Sequence, residues 1–227
     1  MLNPPIPDLY SDQTLLFEDW GLVDYPLALE RQLALLEEVA ESNLSGVIVF
    51  CTHPPVVTLG RATQADDISD WTGARVEVSR GGRATYHGPS QLVVYPIVNL
   101  KMARTNRQEK EIVGFLRDFE NAIVKTLADY GLKAQGKSLQ KKYEGLEDAT
   151  GVWVEDKKIA SLGIAVKKWV TYHGAAINLD ADSKAFKGLM PCGFSPQVMT
   201  NLEVCLGRTI PREEFKLKLL TYLQQLL

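Results

Sequence analysis

Cys192 stands in the run Met190-Pro191-Cys192-Gly193-Phe194. Pro191 removes a backbone donor before the thiol. Gly193 permits a tight turn after it, which would leave the Gly193 N–H free to meet an oxyanion. That setting suits a nucleophilic thiol. Cys51 in GVIVFC and Cys205 in LEVCLG lie in apolar runs and read as small core hydrophobes. A nucleophilic thiol needs a base or a cation beside it. The chain has three histidines, His53, His87 and His173, and the last two each occur as Tyr-His-Gly. His53 precedes Pro54-Pro55, where a structural role is open to it. Lys158 opens the run KIASLG, and a desolvated lysine beside a thiolate can act as base and electrostatic partner. In a strand, Lys157 points the opposite way. The residues alone also allow Lys158 to be a solvated lysine of a hairpin turn.

The run SRGGRATYHGPSQLVVYP, residues 79–96, mixes glycines with arginines and so raises the question of phosphate. A dinucleotide loop needs GxGxxG opening a helix, whereas Gly81, Gly82 and Gly88 have another spacing and precede a strand. The P-loop pattern GxxxxGK[ST] is absent. The paired glycines can still bring backbone close to a ligand, with Tyr86-His87-Gly88-Pro89 as a wall. A plain hairpin turn with a structural histidine is the other reading.

Elements must hold these residues. TLLFEDWG (14–21) reads as a strand, and YPLALERQLALLEEVAES (25–42) as an amphipathic helix. GVIVFCTHPPVVTLG (46–60) is a buried strand broken by the two prolines, with a short extension after them. ARVEVSRGG and QLVVYPIVNL are strands on either side of the Gly-rich loop. Residues 107–132 read as the longest helix, stopped at Gly131. GVWVEDKKIASLGIAV reads as a hairpin around EDKK, and WVTYHGAAINLD as a further strand. A short helix, the loop MPCGFSP and a last helix with Pro211 in its first turn complete the chain. Without a βαβ rhythm, this order favours an α+β fold, a mixed sheet with flanking helices, over a doubly wound parallel sheet.

The chain has 227 residues, 45% of them hydrophobic, which suits one catalytic domain over 1–227 with a core large enough to fold unaided. A net charge of -3 argues against a nucleic-acid partner. Three widely spaced cysteines without a CxxC pair argue against a zinc knuckle and for a reducing compartment, hence the cytoplasm. The opening residues MLNPPIPDLYSDQ lack the pattern of a secretory signal, and no apolar run is long enough to span a membrane.

Taken in order, HPPVVTLGR, RGGRATYHGPSQLVVYP, KIASLG, YHGAAINLD and PCG resemble the motifs of the bacterial octanoyltransferase family of lipoate biosynthesis, over most of the chain from His53 to Gly193. The resemblance implies a biotin/lipoate protein ligase-like fold. It implies transfer of an octanoyl group from octanoyl-acyl carrier protein to a lysine of lipoyl domains, those of 2-oxoacid dehydrogenases and of the glycine cleavage H protein. Cys192 would be the nucleophile and Lys158 the partner that activates its thiol. Arg80, Gly81, Gly82, Arg83, Ala84, Thr85, Tyr86 and His87 would line the acyl pocket, with Ser161, Leu162, Gly163, Gly174, Ala175 and Ala176. No metal, cofactor or ATP is implied, and a monomer is expected. The rivals are an ATP-dependent lipoate or biotin ligase of the same fold, a non-catalytic binding module and a cysteine thioesterase. One position departs from the family's His-Gly-Pro-Gly-Gln: Ser90 stands at the second glycine, at a cost of about 1 kcal/mol if that site needs a positive φ.

Overall fold

The computed structural model describes residues 14–104, 106–138 and 149–227. The reading of the first 13 residues as free of a signal lies outside them. In chain order the elements are β1 (Leu16–Leu22), α1 (Tyr25–Glu41), β2 (Gly46–Thr52), β3 (Val56–Leu59), β4 (Ala74–Glu77), β5 (Thr85–His87) and β6 (Gln91–Val98). There follow α2 (Ile112–Ala128), β7 (Ala134–Gly136), β8 (Gly151–Val154), β9 (Lys157–Lys167), β10 (Val170–Asn178), α3 (Leu202–Leu206) and α4 (Arg212–Leu226). Seven strands form one sheet in the order β1-β2-β6-β10-β9-β8-β7, and three form a second, β4-β3-β5. Among the described residues, β1–β2 is the one parallel pair of the large sheet. The architecture is the expected α+β mixed sheet with helices packed on it.

Alternation along the strands sorts the core into two layers. Ile48 and Phe50 of β2 face α2 and α4, meeting Phe115, Phe119, Phe215 and Leu219. Val47, Val49 and Cys51 face the other way, toward Ala28, Leu36 and Val39 of α1. Every residue of β6 is buried, as expected of a central strand with both faces covered. Pro96 in that strand cannot donate to a ladder. The hydroxyl of Thr171 fills the gap, accepting from the Val98 N–H at 2.9 Å and donating to the Pro96 carbonyl at 2.6 Å. Just beyond, β10 bends at His173, whose φ is 59°.

Pro54-Pro55 does more than interrupt a strand. It carries the chain out of the large sheet, so β3 pairs with β4 and β5 in the small one. The small sheet has its own core of Val57, Ala84, Tyr86, Phe186 and Leu189. Thr85–His87, expected in a loop, is its strand β5. β7 and α3 were not expected either. The long helix starts at Ile112, not near Arg107, because Arg107 is buried against Asp118 (3.0 Å) and the Leu227 carbonyl (3.2 Å). It ends as expected, with Gly131 at φ 81° and the Leu132 N–H returning to Leu127. The short helix expected after β10 is a series of turns, followed by 3-10 turns at Pro191–Gly193 and Pro196–Val198. Pro211 caps α4 from just outside its first turn.

Candidate active site

The β8–β9 hairpin sets the position of Lys158. Val152 pairs with Ala160 and Trp153 with Lys158, so Ile159 is an extra residue on β9, a β-bulge. Lys158 and Ser161 are three apart and would face opposite ways in a regular strand. Because the bulge adds one residue, both lie on the face shared by their partners Trp153 and Gly151. Lys158 is 0% exposed. Its stem runs over Gly151, where a Cβ would lie 2.8 Å from Lys158 Cε. Its Nζ is 5.9 Å from the ring centre of Trp153 and 5.8 Å from that of Phe194. Lys157 points out and donates to the Gln197 carbonyl at 2.8 Å. The solvated hairpin lysine is therefore Lys157.

Cys192 sits in the turn Pro191–Gly193 with φ 57° and ψ 21°, the left-handed region. A non-glycine residue there is strained by about 1 kcal/mol or more and is held by its surroundings. Its N–H donates to the Ala84 carbonyl at 3.0 Å, and its Sγ lies 3.8 Å from Ser161 Oγ. Ser161 shares the face of Lys158, and Phe194, two residues past Cys192, covers Lys158 Nζ. The thiol thus meets Ser161, and the amine lies near Trp153 and Phe194 on the strand face that Ser161 shares. The Gly193 N–H is not free for an oxyanion as expected; it donates to the Met190 carbonyl at 2.9 Å and closes the turn.

A pocket enclosing about 400 Å³, its open mouth included, lies beside the thiol. Of the expected lining residues, Arg80, Thr85, His87, Ser161, Leu162, Gly163, Gly174, Ala175 and Ala176 form its wall, together with Cys192. Tyr25, Val93, Tyr95 and His173 also line it, and the sequence reading did not include them. His173 had a signal, the Tyr-His-Gly shared with His87; Tyr25 begins α1 and Val93 and Tyr95 lie in β6, where nothing in the local sequence marks them.

Gly81, Gly82, Arg83, Ala84 and Tyr86 are not on the wall. They hold it up. The Gly81 N–H reaches the Ile164 carbonyl of β9, and Gly82 turns the chain at φ 79°. Ala84 anchors Cys192 as described. The Tyr86 ring packs on Phe186 and Trp71 in the small core. Arg83 pairs with Asp67 at 2.6 Å and lies under the cysteine turn, where a Cβ on Gly193 would be 2.5 Å from Arg83 Nη1. Asp67 also accepts the Met190 N–H on its backbone carbonyl at 2.8 Å. Gly174 lines the pocket and also lets the sheet close: a Cβ there would be 1.9 Å from the Val94 carbonyl.

The terminal nitrogens of Arg80 donate within the protein, to the carbonyls of Gly81, Arg83 and Thr58 and to Thr58 Oγ1. Thr58 Oγ1, which accepts from Arg80, also pairs with His87 Nε2, 3.3 Å away. His87 Nδ1 is buried without a hydrogen-bond partner. His53 donates from Nδ1 to the Val23 carbonyl at 2.7 Å and accepts from Tyr95 OH at 2.7 Å on Nε2. His173 meets Tyr25 OH at 3.3 Å and Ser79 Oγ at 3.4 Å. Burial lowers all three histidines: His53 below its ordinary value, His87 well below it, and His173 to about 3, with the Arg80 charge adding to the last two. All three are neutral. Burial pushes the Cys51 thiol far up, consistent with an inert core cysteine. Cys205, half-buried in α3, meets Thr200 Oγ1 at 3.5 Å. Ser90 causes no strain, since its φ is not positive; its carbonyl accepts from Leu179 and Asp180, and its Oγ from its place in the turn meets Asp182.

The family model of the lipoyl protein ligase A/B catalytic domain matches residues 24–224, which hold the sheet, the buried lysine and the cysteine turn. A protein from Thermoplasma acidophilum described as a bi-partite lipoate protein ligase shares the fold, with a TM-score of 0.64, 17% identity and coverage of 93% of this chain and 83% of that one. A lipoate-protein ligase A solved with ATP gives a TM-score of 0.64 at 18% identity, over 93% of this chain and 84% of its own. At the sequence level, an octanoyltransferase of Bdellovibrio bacteriovorus is 57% identical over 208 residues, 90% of this chain and 95% of that protein. The chain belongs to the octanoyltransferase family and is an acyltransferase. Among the described residues no helix is long and apolar enough to cross a membrane.

Proposed function

We propose that this protein transfers an octanoyl group from octanoyl-acyl carrier protein to a lysine of a lipoyl domain through a thioester on Cys192, with Lys158 carrying the protons. The observation that supports this reading best is the β-bulge at Ile159, which turns Lys158 and Ser161 to one face while Ser161 Oγ touches Cys192 Sγ at 3.8 Å. In the first half, Lys158 takes the Cys192 proton and the thiolate attacks the donor thioester. The bond from carbonyl carbon to carrier sulfur breaks, and the departing thiolate takes the proton from Lys158. In the second half, the target amine attacks the Cys192 thioester and gives a proton to Lys158. Cys192 leaves with that proton. Thioester to amide is downhill, so the cycle needs no ATP, metal or other cofactor. We further propose a monomer acting in the cytoplasm, without nucleic acid or membrane.

The test is intact-mass analysis after mixing with octanoyl-acyl carrier protein without ATP, then with a lipoyl domain. One octanoyl adduct is expected on Cys192, then on the lipoyl-domain lysine. An adduct that persists in Cys192→Ala refutes the thioester, and a requirement for ATP favours a ligase. Lys158→Ala is expected to move the pH profile of Cys192 alkylation to higher pH; an unchanged profile removes Lys158 from the chemistry.

A further inference from the structure

We propose that the stacked rings of Tyr25 and His87 are the end wall of the acyl pocket and set the length of chain the enzyme accepts. The inference rests on the octanoyl transfer proposed above. Two separate strands give the depth of the wall. Along the small sheet, the Cys192 N–H is fixed to Ala84, and β5 runs from Thr85 to His87 away from it. Three residues of strand span roughly 10 Å at about 3.3 Å each. Along the large sheet, Cys192 Sγ touches Ser161, whose cross-strand partner is Ala176. The pocket then continues past the Gly163–Gly174 pair to His173, whose Nδ1 meets Tyr25 OH. Both paths finish at the same stack, where the Tyr25 and His87 rings lie 5.6 Å apart at 23°.

An extended eight-carbon chain, with C–C bonds of about 1.5 Å, spans roughly 9 Å. It therefore fills the distance from the thiol to the stack. A longer chain must move the rings, and the rings are tied. His87 is held by the Thr58 hydroxyl, which Arg80 holds in turn. Tyr25 is fixed by His173 and by its place in the first turn of α1. Behind them, His53 stands edge-on to His87 at 5.8 Å, clamped between the Val23 carbonyl and Tyr95 OH. All three residues are at most 7% exposed. A wall with so many fixed points cannot yield a little for each added methylene, so the cut-off above eight carbons is sharp.

The experiment is a competition among hexanoyl, octanoyl, decanoyl and dodecanoyl carrier proteins, with the mass of the modified lipoyl domain as readout. The wild-type protein is expected to prefer octanoyl over decanoyl by about tenfold or more, the scale set by a misplaced methylene in a rigid pocket. In His87→Ala, and separately in Tyr25→Ala, the decanoyl-to-octanoyl ratio is expected to rise by about tenfold or more. Wild-type protein that takes decanoyl or dodecanoyl as readily as octanoyl overturns the wall without need of a variant. So does an unchanged ratio in whichever variant folds. In either case wild-type octanoyl transfer leaves the proposed function standing, whereas transfer of no chain at all overturns both.

Discussion

Replacing Arg83 by alanine separates two roles for this residue. A pocket-lining arginine would affect acyl binding. A residue under the Pro191–Gly193 turn would affect the geometry of the thiol. Arg83 and Asp67 face each other at 2.6 Å, with side chains 6% and 0% exposed. The second pairing, to Asp66 at 3.3 Å, involves a carboxylate that is 78% exposed and adds little. Removing one partner of a dry pair leaves an uncompensated charge and costs about 3–5 kcal/mol. In a chain of this length each kcal/mol lowers Tm by about 2–4 °C, so a fall of roughly 6–20 °C is expected. Asp67 keeps the backbone N–H of Gln64 at 2.9 Å but loses the cation. Its own carbonyl positions Met190 two residues before the thiol, so the strain reaches Cys192 through a short backbone path.

Thermal unfolding measures the first effect, and steady-state octanoyl transfer well below the new Tm measures the second. Arg83→Ala is expected to lower kcat by about tenfold or more with KM for the acyl donor within about twofold of wild type. A double variant, Arg83→Met with Asp67→Leu, removes both charges and should recover much of the lost Tm, because a buried pair replaced by apolar groups is close to neutral. A Tm loss below about 2 °C in Arg83→Ala would refute the dry-pair reasoning. A raised KM with kcat unchanged would return Arg83 to the acyl pocket.

Two other outcomes follow from the same geometry. The three histidines are neutral in the fold and their pKa values are lowered, while the unfolded chain takes protons near pH 6.5. Their contribution is therefore whole above about pH 6.5 and is lost as pH falls toward the folded values, by up to about 1.4 kcal/mol per pH unit for each histidine. Unfolding free energies measured from pH 7 to pH 4 should show uptake of about two to three protons on unfolding near pH 5, and uptake near zero would contradict the neutral network. Gly163→Val places branches where a Cβ already lies 3.2 Å from Arg80 Cδ. Octanoyl transfer should fall by about tenfold or more while alkylation of Cys192 by a small reagent stays within about twofold, and equal losses in both would show damage to the fold instead.

Periodicity found most of the large sheet because its strands are long and alternate, as in β2, or are apolar throughout, as in β6. The small sheet was legible only in part. Three residues of β5 carry no period, and what makes them a strand is pairing with β3, which the two prolines have already carried away from β2. The site divides in the same way. Cys192 is marked by Pro and Gly beside it, and Lys158 by the small residues that follow. The wall contributed by Tyr25, Val93, Tyr95 and His173 comes from α1, β6 and β10, which meet only through the order of strands in the sheet. The Arg83 role was hidden for a related reason: its partner Asp67 is 16 residues away in a segment without a motif.

The bulge at Ile159 decides which face of β9 Lys158 takes. Read with strict alternation, KIASLG sends Lys158 and Ser161 to opposite faces, and a lysine facing the α2 side would carry its amine into the apolar layer of Phe115, Phe119 and Ile123 at a desolvation cost. The observed register avoids that cost. Ile159, the extra residue, stays in the apolar layer at 0% exposure, and Lys158 is turned to the face that carries Trp153, Ser161 and the approach to Cys192. On that face Phe194, held by the same turn that strains Cys192, shields the amine from water. Lysine and thiol are thus positioned by two local departures from regular backbone, a bulge in β9 and a left-handed cysteine, each held by neighbours that a single substitution can remove. A register shift at residues 157–160 would therefore abolish acyl transfer while leaving most of the sheet intact, whereas truncation of a pocket residue such as Leu162 would weaken transfer by degrees.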